Sequence, residues 1–303
     1  MISVVKRKLG LKISLALAAV MLVLIVPVAM LIISNQMASL EQLTLEKAKL
    51  AASAGAQSYA MALESAIEGG LLTVDDVYDV NYQEIKGYNW GDNSKFHTKY
   101  DFYTDKAVIV FQDELLKNPD FLYAVGQDVN GYLPTHNTKF QEAITGDPGK
   151  DMNGNRTKRV YKDPVGQSAS RNTEAGFQQI YKQDTGVTMW DVSTPIYVKG
   201  KHWGCFRIGV SIERIEAQQK SMLILLLALF GGFAALVAVI IFLMVKRAVV
   251  PIEKLTTAAI DISLGKNMDD KLRPKTADEI GNLTKAVDRL RVSMKAAMER
   301  LGE

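Results

Sequence analysis

The side chains best suited to hold a ligand lie between Tyr123 and Trp203. Arg156, Arg159 and Arg171 could hold a carboxylate by paired hydrogen bonds, and nearby aromatic side chains could form the walls of a pocket. The expected ligand-binding residues are Tyr132, His136, Arg156, Arg159, Tyr181 and Trp190. The same residues are equally consistent with another interpretation, in which the aromatic side chains pack a sheet and the arginines face water.

A basic cluster lies within an otherwise acidic segment. The run GNRTKRV carries Arg156, Lys158 and Arg159, whereas residues 34–220 as a whole carry 20 Lys/Arg and 24 Asp/Glu, a net charge of −4. A local cationic patch on an acidic domain favours an anionic ligand such as a carboxylate. The alternative needs no ligand, because the arginines could pair with nearby acidic residues, which are Asp147, Asp151 and Asp163.

No pattern typical of catalysis or metal binding accompanies these residues. The sequence has no G-x-S-x-G motif, and no two of His97, His136 and His202 stand at metal-ligand spacing on one element. It has no C-x-x-C-H, which excludes covalent c-type haem, and its single Cys205 lies in a strand-like run as a small hydrophobe. We therefore expect no catalytic residue, no metal and no cofactor. A haem or metal bound without covalent attachment is a distant alternative.

Two uncharged apolar runs divide the 303-residue chain. One lies between Lys12 and Glu41, and the other lies between Lys220 and Lys246. Each matches the roughly 20 residues that a helix needs to cross a bilayer. The first run is longer than the apolar region of a signal peptide, and no small-x-small cleavage site follows it. We therefore expect two membrane helices, of which the first is an uncleaved anchor.

Basic residues at the ends of these runs predict the orientation. Lys6, Arg7, Lys8 and Lys12 precede the first run, and Lys246 with Arg247 follows the second. Such flanks mark the cytoplasmic side, so both termini are expected in the cytoplasm and the middle segment outside it. The basic excess belongs to the membrane flanks and gives no reason to expect nucleic acid as a partner.

The middle segment is expected to have an α+β fold. The run Gln36–Glu68 is rich in Ala, Leu, Glu and Lys, which predicts a long helix that ends at Gly69-Gly70. Asn-Gly at residues 130–131 predicts a hairpin between two apolar runs. Residues 188–198 and 202–212 read as two antiparallel strands joined by a tight turn at Lys199-Gly200-Lys201.

This middle segment resembles the Cache or PAS-like extracytoplasmic sensor domains of methyl-accepting chemotaxis proteins. The runs that carry the resemblance are DVNGYLPTHNTKF, GNRTKRVY, YKQDTG and PIYVKGKHWGCFRIGV. The similarity covers roughly residues 36 to 215 and implies a long helix packed on an antiparallel sheet that binds a small ligand. Some relatives carry haem-linked cysteines, whereas this chain has QSAS at the corresponding loop.

The C-terminal segment resembles a HAMP domain. Pro251 follows the membrane run, Gly265 lies in a connector, and Asp-Glu-Ile-Gly at residues 278–281 opens a second helix. Pro251 could occupy the first helical position, and the two acidic residues suit the positive end of the second helix. The residues expected to relay a signal are Pro251, Ile252, Leu255, Gly265, Asp278, Glu279, Ile280, Gly281, Leu283 and Leu290.

Each predicted HAMP helix has an apolar seam. The second is a heptad stripe formed by Ile280, Leu283, Val287, Leu290, Met294, Ala297 and Leu301. Two such seams need four helices to be buried, so a parallel homodimer is expected. The alternative is an amphipathic tail on the membrane surface, but the polar faces carry mixed charges and no Lys/Arg-rich stripe.

Together these patterns predict a chemoreceptor-like transmembrane receptor of a bacterial inner membrane, which senses a small extracytoplasmic ligand and relays it through HAMP. An alternative is a membrane partner without an output module, which modulates full-length receptors or kinases by HAMP heterodimerisation. The sequence ends before any output module, so a longer receptor is equally compatible. The expected segments are a cytoplasmic N-terminus (1–12), membrane helices (13–33 and 221–245), a sensor domain (34–220) and HAMP (246–303).

Overall fold

The computed structural model describes residues 9–88, 90, 93–183 and 186–301. Lys6, Arg7 and Lys8, on which the predicted orientation partly depends, lie outside the described residues. The helices are α1 (Leu9–Glu68), α2 (Val74–Val77), α3 (Asp101–Ala107), α4 (Ile109–Leu115), α5 (Pro148–Gly154), α6 (Pro164–Arg171), α7 (Ile212–Ser263) and α8 (Glu279–Leu301). The strands are β1 (Gln83–Glu84), β2 (Phe96–His97), β3 (Phe121–Asp128), β4 (Tyr132–Leu133), β5 (Arg159–Val160), β6 (Phe177–Lys182), β7 (Thr188–Val198) and β8 (Lys201–Ser211).

The chain divides into two compact units. The sheet unit is Asn35–Met222, and the helical unit comprises the described residues up to Ser34 and from Leu223 onward. The sheet unit contains a four-stranded antiparallel sheet in the order β3-β8-β7-β6, together with two small strand pairs, β1-β2 and β4-β5. The predicted α+β fold is confirmed.

In the sheet unit, α1 packs against one face of the sheet. Tyr59 lies 5.0 Å from Trp203 and 6.4 Å from Phe206 between ring centroids. The helix and the sheet approach closely because glycines lie at the contact on both sides. A Cβ on Gly55 of α1 would lie 2.2 Å from the Phe206 ring, and a Cβ on Gly126 of β3 would lie 2.2 Å from the Tyr59 ring, so neither position has room for a side chain. The predicted end of the helix at Gly69-Gly70 is confirmed, since α1 stops at Glu68.

One predicted hairpin is confirmed and another is wrong. β7 and β8 pair directly, and Lys199 and Gly200 both have positive φ angles of 49° and 79°, as a tight hairpin turn requires. At the Asn-Gly sequence a turn does form, with the Gly131 N–H donating to the Asp128 carbonyl at 3.0 Å. Its flanking strands nevertheless do not pair with each other, because β3 pairs with β8 and β4 pairs with β5.

In the helical unit, α1 and α7 are each long and apolar enough to cross a membrane. Only 6% and 0% of their most apolar stretches is buried, so they differ from the buried core helix of a soluble domain. α1 continues through Pro27. The prediction that Pro251 opens a separate helix is wrong, because Pro251 lies inside α7. Proline has no backbone N–H, so the carbonyl of Arg247, four residues earlier, lacks its helical hydrogen bond. Arg247 lies in an exposed part of the helix, where the loss is tolerated.

The start of α8 follows the predicted chemistry. The Asp278 carboxylate accepts hydrogen bonds from the N–H groups of Ile280 and Gly281, both at 3.1 Å, and so caps the helix. Gly281 has no room for a side chain, since a Cβ would lie 1.9 Å from the Thr276 carbonyl oxygen. In the connector, Gly265 has a φ of 69°, a conformation that glycine adopts without strain.

Gly55→Ala tests the contact between α1 and the sheet. Alanine favours a helix by about 1 kcal/mol over glycine, but its methyl group would collide with the buried Phe206 ring. We expect the free energy of unfolding to fall by about 1–3 kcal/mol, as measured by denaturant titration of the tryptophan fluorescence, to which the buried Trp203 contributes. Gln57→Ala, on the exposed side of α1, is the matched control and should change stability by less than about 0.5 kcal/mol. Unchanged stability of Gly55→Ala would contradict the close packing.

Candidate functional site

The second face of the sheet carries buried polar groups. Phe206 and Ile208 of β8 belong to the core against α1, and Arg207 lies between them in sequence. Because side chains alternate along a strand, Arg207 lies on the opposite face. Its pairing neighbour there is Val125 of β3, which belongs with Tyr123 to a separate hydrophobic cluster. One face of the sheet is therefore apolar, and the other combines apolar, aromatic and charged side chains.

Arg207 is the central charged group of this second face. Its side chain is buried, and its Nε lies 2.9 Å from Asp191 Oδ1 in an ion pair. Its Nη1 donates to Gln127 Oε1 at 2.6 Å, and the Tyr123 hydroxyl donates to the same Asp191 oxygen. The third nitrogen, Nη2, is buried and has no hydrogen-bond partner among the described residues. The guanidinium therefore keeps an unused donor.

Arg207 lines a small cavity between the sheet and the segments that cover it. The cavity measures about 20 Å³, which is room for one water molecule. The Arg207 guanidinium carbon lies 5.6 Å from the Tyr181 ring centroid, and that of Arg156 lies 5.9 Å from Tyr161. The described lining is Tyr123, Val125, Leu133, His136, Arg156, Tyr161, Tyr181, Gln183 and Arg207. Two guanidinium groups and one imidazole thus face a largely aromatic and aliphatic space.

His136 is a neutral member of this lining. The ring is buried, and its Nδ1 accepts the backbone N–H of Asn137 at 2.8 Å. In the neutral ring the proton is therefore on Nε2, which remains a donor. Burial lowers the pKa of His136 well below its usual value, and the positive charge of Arg156 adds to this effect. The site thus presents donors to a ligand without a protonated imidazole.

The structure brings together three of the six side chains expected at the site. His136, Arg156 and Tyr181 line the cavity, whereas Tyr132, Arg159 and Trp190 lie elsewhere. The Tyr132 hydroxyl donates to the Phe96 carbonyl at 2.8 Å and to Asp101 at 3.2 Å.

Arg159 and Trp190 also have structural contacts of their own. Arg159 Nη2 donates to the carbonyls of Met152 and Asn155, at 2.6 and 2.9 Å. Trp190 packs against the core on the α1 face of the sheet. Arg171, at the end of α6, is exposed. These three residues therefore do not line the cavity.

Sequence reasoning missed Tyr161 and Arg207, and it considered Tyr123 only as a general aromatic wall, outside the six expected residues. The available signal was in β8, where Arg207 is the one charged side chain in the otherwise apolar run from Trp203 to Val210. A charge in such a run indicates a buried ion pair or a site. Its partners could not be found in the same way, because β3 precedes β8 by about 80 residues and only the folded sheet joins them.

A wider cleft of about 780 Å³ adjoins the cavity. Tyr161 and Tyr181 line both spaces, so the two spaces meet at these side chains. Within residues 9–301, wherever the structure describes them, no group of three His, Cys, Asp or Glu side chains could hold a metal ion.

Comparison with known families confirms the expected HAMP domain, whose family model matches residues 243–301. Comparison with curated proteins gave no match. The chain thus carries a HAMP domain, two long apolar helices and an α+β unit between them.

Solved structures similar to the chain include three extracellular or sensory domains. The sensor domain of Escherichia coli DcuS is 19% identical, with a TM-score of 0.27, over 38% of this chain and 72% of that one. A Desulfohalobium retbaense extracellular ligand-binding receptor is 11% identical, with a TM-score of 0.32, over 61% of this chain and 25% of that one. The sensory domain of the Campylobacter jejuni chemoreceptor Tlp3, with isoleucine bound, is 13% identical, with a TM-score of 0.30, over 60% of this chain and 65% of that one. None of these likenesses indicates a ligand for this chain.

His136→Asn tests the burial of the neutral imidazole. Folding lowers the pKa of this histidine, so below its unfolded pKa of about 6.5 the unfolded chain binds a proton that the folded protein does not. The free energy of unfolding is therefore highest above that pH and falls as the pH drops below it. Between pH 8 and pH 5.5 the wild type should lose about 1.4 kcal/mol more unfolding free energy than His136→Asn. Denaturant titrations at both pH values measure this difference. An equal loss in the two proteins would show that folding does not lower the pKa of His136, which would contradict its burial as a neutral ring.

Proposed function

We propose that this chain is a transmembrane receptor. In this proposal the sheet unit binds a small ligand outside the cytoplasm, and the HAMP domain relays the signal within it. The order of elements along the chain carries the proposal: a unit with a small cavity lies between two long apolar helices, and HAMP follows the second helix. The chemistry of the cavity supports a ligand, because Nη2 of the buried Arg207 can donate a hydrogen bond and has no acceptor among the described residues.

The proposed location is a bacterial inner membrane, with both termini in the cytoplasm and the sheet unit in the periplasm. Charge distribution supports this orientation. Lys246 and Arg247 follow the second apolar run directly, whereas residues 34–220 have a net charge of −4. The ligand would therefore arrive from the periplasm and the signal would leave on the side of α8.

The proposed ligand is a small carboxylate. Arg156 and Arg207 supply guanidinium groups, which bind carboxylates by paired hydrogen bonds, and the neutral His136 supplies a further N–H. Tyr161 and Tyr181 border both the cavity and the cleft, so they are the proposed entrance.

The proposed relay begins in β8, because this strand both lines the cavity and leads directly into α7. Arg207 lies five residues before Ile212, the first residue of α7, and no loop intervenes. A ligand that binds one arrangement of β8 more tightly would shift the population of helix positions. The proposed relay residues in HAMP are Pro251, Ile252, Leu255, Gly265, Asp278, Glu279, Ile280, Gly281, Leu283 and Leu290.

A homodimer is the proposed assembly. In the single chain Leu255 and Ile262 of the first HAMP helix are buried, but Leu283 and Leu290 of α8 are 46% and 55% exposed. A heptad seam that is half exposed in one chain requires a second helix to cover it. The same two helices of a second chain would complete a parallel four-helix bundle.

Cysteine cross-linking tests the dimer. Leu283→Cys and Leu290→Cys should each form disulfide-linked dimers under mild oxidation in native membranes. The native Cys205 should not interfere, because burial raises the pKa of its thiol to about 12. Lys285→Cys, exposed on the other side of α8, is the control and should cross-link far less. Equal cross-linking at all three positions, or none at either leucine, would contradict the parallel bundle.

A metabolite panel tests the receptor proposal. The full chain in nanodiscs should be stabilised against thermal unfolding by a carboxylate, by about 2.7 kcal/mol at a ligand concentration 100 times Kd. Arg156→Ala should abolish this shift, whereas Arg171→Ala, an exposed arginine outside the cavity, should retain it. If only amines or neutral compounds bind, the carboxylate is wrong. If no compound of any charge binds, the receptor proposal fails.

A further inference from the structure

The face of α1 that points away from the sheet carries large apolar side chains. Ala52 and Tyr59 are fully buried in the core on the sheet side. On the other side, Leu43, Leu50 and Met61 are 52%, 72% and 61% exposed. Apolar side chains exposed one by one are common on protein surfaces, whereas a contiguous set indicates a contact with another molecule. The arrangement of these three residues on the helix decides between the two cases.

The three side chains form one straight stripe together with Ala54. Leu50, Ala54 and Met61 follow Leu43 by seven, eleven and eighteen residues, which are close to two, three and five turns of about 3.6 residues each. All four therefore lie within about 20° of one line, which is about 27 Å long. Ala54 is also exposed, and its small side chain permits a close approach. A narrow, straight, apolar line on a helix matches the contact made by a second helix.

We propose that this stripe, which consists of Leu43, Leu50, Ala54 and Met61, is an interface between two copies of this chain, with α1 packed against α1. This contact presupposes the homodimer proposed above and adds a second interface to the one in HAMP. Two copies inserted in one membrane share one orientation, so their α1 helices run parallel. A two-fold axis along the stripe then places each apolar residue beside the same residue of the other copy, and one patch serves both sides.

The charges beside the stripe favour a second copy over an unrelated partner. Glu46 and Lys47 are both exposed and follow Leu43 by three and four residues, so they lie on opposite flanks of the stripe. In a parallel two-fold pair, the left flank of one helix faces the right flank of the other. Lys47 therefore faces Glu46 of the partner subunit, and the symmetry forms this pair twice. Flanking charge pairs of this kind select the partner and the orientation of paired helices.

Glu46 can make this contact while it keeps its neighbour in the same helix. Its Oε1 accepts from Lys49 Nζ at 3.3 Å, and a carboxylate accepts through both of its oxygens. Exposed ion pairs contribute little to stability. The apolar side chains of the stripe therefore supply the affinity, and the charges supply the direction.

Cysteine cross-linking of the full chain in native membranes tests this interface. Leu43→Cys and Met61→Cys, each in a separate chain, should form disulfide-linked dimers under mild oxidation, because counterparts beside the two-fold axis lie within reach of a disulfide. Gln42→Cys is the matched control, since Gln42 is exposed but lies about 100° from Leu43 around the helix. We expect at least about fivefold more dimer at the two stripe positions than at Gln42. The chain with only the buried Cys205 gives the background.

A substitution in the stripe separates this interface from the one in HAMP. Leu50→Glu, made in the Met61→Cys chain, places like charges against each other beside the axis and should remove most of the dimer. Made in the Leu290→Cys chain, it should leave the cross-link in place, because Leu290 lies in HAMP. Leu50 is exposed, so the sheet unit should stay folded, which thermal unfolding followed by circular dichroism checks.

Exchanging the flanking charges tests the parallel orientation. Lys47→Glu alone brings only carboxylates together on both flanks and should lower the Met61→Cys dimer by about twofold or more. The double variant with Glu46→Lys and Lys47→Glu reverses both charges, forms the pairs again and should restore the dimer. An unrelated partner, whose own charges stay fixed, would not follow this exchange.

Each outcome supports or overturns the α1 interface. Equal cross-linking at Gln42, Leu43 and Met61 overturns it, and so does no cross-linking at either stripe position while Leu290→Cys still forms dimers; the homodimer stands in both cases. Adducts only with a protein of different mass put another partner in place of the second copy and also overturn it. A double charge variant that stays as weak as Lys47→Glu contradicts the parallel pairing. Absence of the Leu290→Cys cross-link in the otherwise unchanged chain contradicts the homodimer itself.

Discussion

The alternation of side chains along β8 is the constraint on which the sheet unit depends. Phe206 and Ile208 face α1 and complete the apolar core, while Arg207 between them faces the cavity. A shift of one residue would place the guanidinium in the apolar core and Phe206 in the cavity, so the register is strongly specified. The ion pair with Asp191 reinforces this register, because a buried arginine without its carboxylate would be an uncompensated charge.

This arrangement lets one strand take part in both binding and transmission. The α1 face supplies rigid support, since Gly55 and Gly126 leave no gap between helix and sheet. The opposite face supplies the cavity, and β8 then runs without a loop into α7. A small change at a tightly packed strand is transmitted more readily than one at a mobile loop, because packed interfaces switch between discrete arrangements. The proposed mechanism therefore needs no large rearrangement of the domain.

Local sequence patterns predicted the elements, and long-range pairing decided the site. The long helix, its end at Gly69-Gly70 and the β7-β8 hairpin depend on neighbouring residues, and each was predicted correctly. The Asn-Gly turn was also found, but its hairpin was wrong because β3 pairs with the distant β8. The same pairing brings Tyr123 and Arg207 to the cavity, and no local pattern records it. Pro251 was misplaced because the helix continues through it in an exposed part of α7.

The most direct test asks where a bound ligand lies on the sheet. The full chain in nanodiscs, with methyl labels on valine, leucine and isoleucine, can be titrated with the tightest carboxylate of the panel and examined by isotope-filtered NOE spectroscopy. We expect contacts from the ligand's alkyl protons to the methyl groups of Val125 and Leu133, and none to Val192 or Ile208 on the α1 face. Contacts to Val192 or Ile208, or to Val160 in the wider cleft with none to Val125, would contradict binding in the cavity.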